Sequence, residues 1–298
     1  MAFTLADLVA LLDLAADGPD RFLGLSPDLG RGRIFGGLVI AQALVAMGRT
    51  SAARPVHSLH GYFMLPGDPA APIAYGVERM RDGGSFSTRR CVAHQHGRPI
   101  FAMSASFHAA EPDALDHAID APDVPPPEAL PSAADIAAGR AGALPPAVRA
   151  YFGRDASVEL RPVDLGRFSA KPPLARPPRQ AIWMRATAPL PDDPALHAAV
   201  LAYMSDLTLL DTALVSHGRS VFDPDVQAAS LDHALWFHRP LRVDDWLLYA
   251  EDSPSASGSL GFARGSVFDR AGRLVASVAQ EGLIRLRRPQ DATSAETA

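Results

Sequence analysis

The chain has 298 residues, of which 48% are hydrophobic and 20% are charged, and its formal net charge at pH 7 is −5. This balance is typical of a soluble globular protein, and the lack of a basic surplus argues against nucleic acid or an anionic membrane surface as the main partner. Cys91 is the single cysteine, which excludes an internal disulfide framework and cysteine-rich zinc sites. We therefore expect a reducing compartment, the cytoplasm, and a Cys91 that is an inert core residue.

The first predicted elements are two helices of different character. MAFTLADLVALLDLAADG has the pattern of an amphipathic helix and lacks the basic start and long apolar core of a signal peptide. A short strand over 22–26 precedes RGRIFGGLVIAQALVAMGRT, which is apolar on most faces and predicts a helix surrounded by protein. Four strand-like segments follow, separated by PGDP, RDGG and HGR turns: VHSLHGYFML, PIAYGVERM, SFSTRRCVAHQ and PIFAMSASFH. Residues 1–110 are thus predicted as a first domain, a helix followed by an antiparallel meander.

The middle of the chain separates this domain from a second one. Over 111–155 the periodicity fails, and APDVPPPEALPSAAD is rich in proline, alanine and aspartate, so we expect a linker that acts as a plain spacer. The second domain, 156–290, begins with strands at VELRPVDL and QAIWMRAT and continues with a helical region from Pro194 to about Val215. Four more strands are AASLDHALWFHRP, WLLYAEDS, SLGFARGSVFD and LVASVAQEGLIRL. A tail, 291–298, ends in SAETA, which is not a peroxisomal S-K-L address, and no stretch approaches the roughly 20 apolar residues of a membrane-spanning helix.

The two domains repeat one pattern at a fixed offset. Pro66 aligns with Pro240 (240 − 66 = 174), and one extra residue in the second copy then aligns Gly97 with Gly272. The same offset of 174 pairs further identical residues: Phe63 with Phe237, Tyr75 with Tyr249, Gly84 with Gly258, Ser85 with Ser259 and Arg90 with Arg264. A helix wrapped by a meander, written twice, predicts an α+β double hotdog: two antiparallel sheets, each around a long central helix, fused in one chain.

Polar residues in apolar surroundings mark the second copy as the one with chemistry. Asp206 lies in the helical region, and Ser230 and Gln280 lie on strands where the first copy has Val56 and Ala105. If the three meet on the inner face, an acid, a hydroxyl and an amide can hold a water molecule, with Asp206 as the general base. Each residue taken alone is also typical of a helix cap or a strand position. The chain has no G-x-S-x-G, H-E-x-x-H or P-loop motif, which disfavours serine-type and metal-type hydrolysis.

Over nearly its whole length the chain resembles acyl-CoA thioesterase II, a family of double-hotdog thioesterases. The stretches that carry the resemblance are RIFGGLVIAQAL, VHSLHGYFMLPGD, VERMRDGGSFSTRR, GRPIFAMSASF, LAYMSDL, SLDHALWFHRP, WLLYAEDSPSASGSLGFARG and VASVAQEGLIR. It implies that the protein hydrolyses fatty acyl-CoA to free fatty acid and coenzyme A by direct attack of water, with no cofactor or metal. By motif, the family's water-activating Asp, Thr or Ser, and Gln correspond to Asp206, Ser230 and Gln280. The resemblance also suggests a homodimer or homotetramer.

Other residues remain as candidates for substrate binding. The glycines Gly36 and Gly37 allow close backbone approach at a helix N-terminus, where an oxyanion could be stabilised, or they simply permit tight packing. His57 is in the first half, away from the proposed trio, while Gly84 and Ser85 lie in VERMRDGGSFSTRR. His233 and His238 are expected to satisfy local polar groups, and Asp211 is the main rival for the base. Arginines that could meet the coenzyme A phosphates are Arg31, Arg33, Arg79, Arg81, Arg89, Arg90 and Arg264.

Two other functions stay open on the sequence. A hotdog hydratase acting on enoyl-CoA shares the fold and ligand, but it normally needs an Asp-His dyad on a D-x-N-x-x-H-like motif, which the chain lacks. A non-catalytic acyl-CoA-binding protein would be expected to lose the trio in both halves, whereas the second half keeps all three residues.

Overall fold

The computed structural model describes residues 3–28, 32–52, 54–111, 115–153, 156–169 and 176–287. The predicted tail, 291–298, and the candidate ligand Arg31 lie outside these residues. The first half contains α1 (Leu5–Leu12), β1 (Ala15–Ala16), β2 (Arg21–Gly24), α2 (Gly36–Gly48), β3 (Val56–Phe63), β4 (Ile73–Asp82), β5 (Phe86–Gln95) and β6 (Arg98–His108). The middle segment contains a 3₁₀ helix at Pro127–Ala129, α3 (Ala133–Ala137) and α4 (Pro146–Phe152). The second half contains β7 (Val158–Pro162), a 3₁₀ helix at Leu165–Phe168, β8 (Arg179–Ala186), α5 (Pro194–Ser205), a 3₁₀ helix at Leu209–His217, β9 (Val226–Ser230), β10 (Asp232–Phe237), β11 (Leu247–Ser257), β12 (Leu260–Phe268) and β13 (Leu274–Leu286).

All thirteen strands of the described residues belong to one antiparallel sheet. Its order is β1-β2-β4-β5-β6-β3-β10-β13-β12-β11-β8-β7, with β9 paired to β13. The two predicted meanders occupy the two ends of this order and are joined where β3 pairs with β10, from Tyr62 opposite Asp232 to Ser58 opposite Trp236. The double hotdog is therefore confirmed, and its two sheets form one continuous surface.

The core lies between this sheet and two apolar helices. In α2 ten of the thirteen residues are buried, and in α5 nine of the twelve, because α2 packs against β2 to β6 and the two helices pack against each other. A helix enclosed on most sides has no polar face to keep in water, which explains why both sequences are apolar nearly all round. Cys91 is fully buried in this core, and burial raises the pKa of its thiol to about 12.

Strand register bears out the internal repeat residue by residue. Glu78 pairs with Arg90 in the first half, and Asp252 pairs with Arg264 in the second, each shifted by 174. The register of β3 shifts between Val56 and Ser58. At the equivalent place in the second half, Leu231, the strand is interrupted between β9 and β10. Such an irregularity changes which residues face inward, as a β-bulge does. Both halves therefore have a strand irregularity at the same position of the repeat.

Part of the predicted spacer is structured and packs on the second half. Trp183 Nε1 donates to the Pro125 carbonyl over 2.9 Å, and Arg161 Nη1 donates to the Pro127 carbonyl over 2.7 Å. The α4 residue Phe152 is 4% exposed. The sequence of this segment is typical of a spacer because its apolar residues are widely separated. Those that pack on the second half do so individually.

The helical region of the second half differs from its sequence prediction in two ways. It divides at Asp206, where α5 ends and a turn leads into the 3₁₀ helix Leu209–His217. The expectation that no stretch has the length and apolar character of a membrane span is wrong for Pro194–His217, a stretch of 24 residues whose most apolar 18-residue part has a mean hydropathy of 1.4. However, 89% of the most apolar part of this stretch is buried inside the protein, so it forms the core of the second half.

Candidate active site

Asp206, Ser230 and Gln280 come from three separate elements and form one hydrogen-bonded group. Gln280 Nε2 donates to Asp206 Oδ1 over 2.9 Å and to Ser230 Oγ over 2.6 Å. Ser230 Oγ lies 3.4 Å from Asp206 Oδ1, a long hydrogen bond. Gln280 is 1% exposed, whereas Asp206 and Ser230 are half-buried. The structure thus brings together all three residues that the sequence singled out.

Local backbone geometry places each of these side chains. Asp206 is the first residue beyond α5, so its side chain extends from the end of the helix rather than from its packed flank. Ser230 ends β9, and the break at Leu231 brings both Ser230 and His233 to the inner side, although residues three apart in a regular strand would face opposite sides. Gln280 stands in the middle of β13.

The N-terminus of α2 in the first half lies directly beside Asp206. A Cβ atom added at Gly36 would stand 2.8 Å from Asp206 Oδ2, and one added at Gly37 would stand 2.5 Å from the Tyr203 carbonyl. The first N–H groups of a helix have no partner within it, and Phe35 at the N-cap makes no side-chain hydrogen bond to them. A partial positive charge therefore faces the trio. The site is built from both halves.

A buried histidine stands behind the amide of Gln280. His233 is 1% exposed; its Nδ1 lies 3.2 Å from Gln280 Oε1, and its Nε2 lies 2.9 Å from Ser205 Oγ. The sequence predicted that His233 satisfies local polar groups, but it did not indicate that one of these groups is the amide of Gln280. The repeat carried the signal, because the offset of 174 aligns His233 with apolar Leu59.

Asp211, the expected rival for the base, is committed elsewhere. It is 6% exposed, forms an ion pair with Arg167, and accepts hydrogen bonds from Ser220 Oγ over 3.0 Å and from the Val221 N–H over 2.8 Å. The 3₁₀ helix that carries it starts three residues beyond Asp206, so the two carboxylates do not share a helix face. Asp211 anchors the chain that follows α5.

Glu251 is a second buried acid that the sequence did not reveal. It accepts hydrogen bonds from Thr208 Oγ1 and Thr212 Oγ1, each over 2.5 Å, and from Gln180 Nε2 over 2.7 Å. Burial raises the pKa of its carboxyl group. These bonds hold the start of the 3₁₀ helix against β8 and β11, and so fix where the chain goes after Asp206.

The remaining first-half candidates do not contact the trio. His57 Nε2 lies 2.8 Å from Ser106 Oγ, and its ring packs against those of Phe86 and His108. Gly84 accepts from Arg54 Nη2, and the Ser85 carbonyl accepts from the Ala109 N–H at the same end of the sheet. Phe63, beside Gly36, is six residues along β3 from His57, roughly 20 Å at the rise of a strand.

Several of the candidate arginines have partners of their own. Arg89 is 1% exposed and pairs with Asp82, while Arg79 pairs with Asp20 and Arg264 with Asp252. Arg33 lies nearer the site, because its Nη2 donates to the Ala228 carbonyl of β9 over 3.1 Å. Within the described ranges, no group of three or more His, Cys, Asp or Glu side chains is arranged to hold a metal ion.

The fold and this site define a double-hotdog hydrolase. Comparison with known proteins supports this class. A family model described as acyl-CoA thioesterase N-terminal domain matches residues 25–108, and one described as acyl-CoA thioesterase matches residues 173–283. The chain belongs to the acyl-CoA thioesterase family.

Individual relatives match over most of the chain. It is 38% identical to human acyl-coenzyme A thioesterase 8 over 94% of its own length and 89% of that protein. The crystal structure of acyl-CoA thioesterase II TesB2 from Mycobacterium marinum is 42% identical, with a TM-score of 0.76 over 94% of this chain and 98% of that one. A hot dog protein of unknown function from Alicyclobacillus acidocaldarius, 20% identical with a TM-score of 0.75 over 94% of this chain and 98% of that one, supports the fold alone.

Proposed function

We propose that the protein hydrolyses fatty acyl-CoA to free fatty acid and coenzyme A by direct attack of a water molecule held at Asp206, Ser230 and Gln280. The observation that carries the proposal is that these three side chains share hydrogen bonds at the N-terminus of α2. A base and a positive backbone terminus thus stand side by side, as hydrolysis of a thioester requires.

Asp206 acts as the general base in this proposal. The water oxygen bonds to the thioester carbonyl carbon as its proton passes to Asp206, and the carbonyl oxygen becomes an oxyanion. Backbone N–H groups at Gly36 and Gly37 stabilise that oxyanion, since helix N-termini favour negative charge. The C–S bond then breaks, and the leaving thiolate of coenzyme A takes the proton back from Asp206.

Gln280 holds the water indirectly, by orienting the other two residues. Its two amide N–H groups already donate to Asp206 Oδ1 and Ser230 Oγ. The Ser230 hydroxyl accepts one of these bonds and keeps a lone pair to accept a proton of the water. Serine and threonine offer the same donor and lone pairs, so the serine at this position suits the role.

A hydratase is the less supported function. It would pair a histidine with an acid, whereas His233, the histidine linked to the trio, contacts an amide and a hydroxyl. Among the described residues, no contact of the trio favours addition of water to a double bond over attack on a carbonyl.

The test is thiol release from acyl-CoAs of increasing chain length, with EDTA present and absent. We expect release in both conditions, and no acylated side chain by mass spectrometry of enzyme quenched during turnover. The Asp206→Asn variant is the matched control for contaminating activity. Release that requires added metal, or a trapped acyl-enzyme, would contradict the proposal.

We further propose that the protein acts in the cytoplasm, in fatty acid metabolism, as a homodimer or homotetramer. The single buried cysteine supports the compartment, and the family resemblance supports the metabolic role and the assembly. Light scattering at working concentration tests the assembly, because a mass near 31.6 kDa would correspond to a monomer.

A further inference from the structure

Behind Gln280, a chain of buried side chains runs away from the substrate side of the site. Gln280 Oε1 meets His233 Nδ1 at 3.2 Å, and His233 Nε2 meets Ser205 Oγ at 2.9 Å. All three side chains are at most 1% exposed. The mechanism proposed above makes no use of His233 or Ser205.

Hydrogen-bond complementarity fixes where the protons of this chain lie. An ionised Asp206 can only accept, so the amide nitrogen of Gln280 must face it, and Oε1 must then face His233. An amide oxygen also only accepts, so the ring proton is on Nδ1. Burial lowers the pKa of His233 to about 4, which keeps the ring neutral. Nε2 is therefore an acceptor. The single proton of the Ser205 hydroxyl is shared between Nε2, at 2.9 Å, and the Ala202 carbonyl, at 3.0 Å.

The first half lacks this arrangement at the equivalent positions. Leu59 stands opposite Ala105 in the pairing of β3 and β6, where the second half has His233 and Gln280. Leu59 is fully buried, so the position does not itself require a polar residue. The histidine occurs in the half that has the glutamine.

We propose that His233 is a positioning residue for thioester hydrolysis, which holds the Gln280 amide in the one orientation that presents its N–H groups to Asp206 and Ser230. The inference rests on the proposed function of the trio. In the reverse orientation the amide N–H groups would face the Nδ1–H of His233, and the amide oxygen would face Ser230 and Asp206.

The contribution of His233 is greatest after the proton transfer. While Asp206 is ionised, its charge alone favours the correct orientation of the amide. Once Asp206 has taken the proton from water, one of its oxygens becomes a donor, and its preference for the amide nitrogen weakens. From that moment the Nδ1–H of His233 is the group that keeps the amide from turning.

A double-mutant cycle separates positioning from simple core packing. His233→Leu introduces the residue of the first half and removes the donor, and His233→Asn keeps an N–H near the position of Nδ1. Each is made alone and with Gln280→Ala, and kcat, KM and the melting temperature are measured for thiol release. His238→Leu is the matched control, because His238 follows the same strand and its ring Nε2 lies 2.8 Å from Ser277 Oγ, which is not a member of the trio.

We expect His233→Leu to lower kcat roughly tenfold with KM changed less than about twofold, since a buried amide oxygen loses its donor. His233→Asn should keep kcat within about threefold of wild type, and His238→Leu should leave it unchanged. With Gln280→Ala already present, His233→Leu should change kcat by less than about twofold, because no amide remains to be oriented.

Three outcomes overturn the inference in a folded protein: wild-type kcat for His233→Leu, equal losses for the leucine and asparagine variants, or an undiminished loss beside Gln280→Ala. If Gln280→Ala itself keeps wild-type kcat, the trio is wrong and the positioning role falls with it; a lowered kcat for Gln280→Ala leaves the trio intact while the cycle decides on His233. Should His233→Leu not fold, His233→Phe, which keeps a ring at this position but removes the Nδ1–H, replaces it in the same cycle with the same criteria.

Discussion

The two halves of the chain share strand register but differ in the chemistry of their interiors. Where the first half buries Leu59 and Ala105, the second buries His233 and Gln280. The first half nevertheless contributes to the site, because the N-terminus of α2 at Gly36 meets Asp206. In the proposed mechanism the halves therefore divide the reaction between them: one supplies the positive backbone terminus, and the other supplies the base.

Buried charges show the same divergence in another place. The second half has Glu251 where the first half has buried Val77, and the first half has buried Arg89 where the second has Ala263. Each charge is enclosed by hydrogen bonds from its own half. Burying a charge costs free energy unless it is paired, so each half has a separate polar anchor that the other replaces by a small or apolar residue.

Among substitutions that test the difference between the halves, removal of the base should have the largest effect on kcat. Asp206→Asn is nearly isosteric but cannot accept the proton from water, so we expect kcat for thiol release to fall by about 10²-fold or more, with little change in KM. The variant should unfold at a denaturant concentration near that of wild type. An Asp206→Asn enzyme with wild-type kcat would place the chemistry outside the second half.

The buried histidine should make the second half sensitive to acid. Burial lowers the pKa of His233 from its usual 6.5 to about 4, so the unfolded chain binds the extra proton first as the pH falls. This part of the stability is complete above pH 6.5 and is lost between pH 6.5 and 4, by about 3 kcal/mol at most. Urea unfolding of wild type and His233→Leu from pH 7 to 4 should show a shallower acid decline for the variant. Parallel curves would contradict the buried neutral ring.

Crowding the contact between the halves should have an intermediate effect. The Cβ of Gly36→Ala would lie 2.8 Å from Asp206 Oδ2 and 2.9 Å from Phe63 Cζ, so the acid and the helix end must separate. We expect kcat to fall about tenfold, because small misplacements of reacting groups are costly. Gly48→Ala, at the other end of α2 with no atom within 4 Å of its Cβ, is the control and should retain full activity. Equal kcat values for the two variants would argue against a site shared by both halves.

The smallest effect is expected from the histidine of the first half. His57 contacts Ser106, Phe86 and His108, roughly 20 Å along β3 from Phe63, the residue beside Gly36. His57→Ala should therefore keep kcat within about twofold of wild type. A large loss of kcat with an unchanged melting temperature would indicate a catalytic role for His57.

Much of this arrangement was predictable because it depends on patterns within one strand or helix. The repeat predicted two equivalent meanders, and its unequal pairs, Val56 with Ser230 and Ala105 with Gln280, indicated two members of the trio. The same alignment contained Leu59 opposite His233, but a lone histidine on a strand is usually satisfied locally, and here its local partner proved to be Gln280.

The joint between the sheets and the division of the long helix were not predictable in the same way. Pairing of β3 with β10 depends on which edges meet in three dimensions, and neither strand carries a sequence signal for its partner. Just after the break at Asp206, Thr208 and Thr212 donate hydrogen bonds to the Glu251 carboxylate. Such contacts join residues about 40 positions apart in sequence, beyond any local periodicity.

The pairing of β3 with β10 also constrains how the protein is made. When the ribosome has delivered the first 110 residues, β3 is an uncovered sheet edge, and α2 lacks the α5 surface against which it packs. The strand that covers this edge, β10, begins 122 residues later (232 − 110 = 122), roughly 6 to 24 seconds at about 5–20 residues per second. Contacts of such long sequence separation slow folding, and exposed edges invite intermolecular pairing. Nascent chains should therefore depend on chaperones during this interval, and truncation between the halves should yield an aggregating fragment.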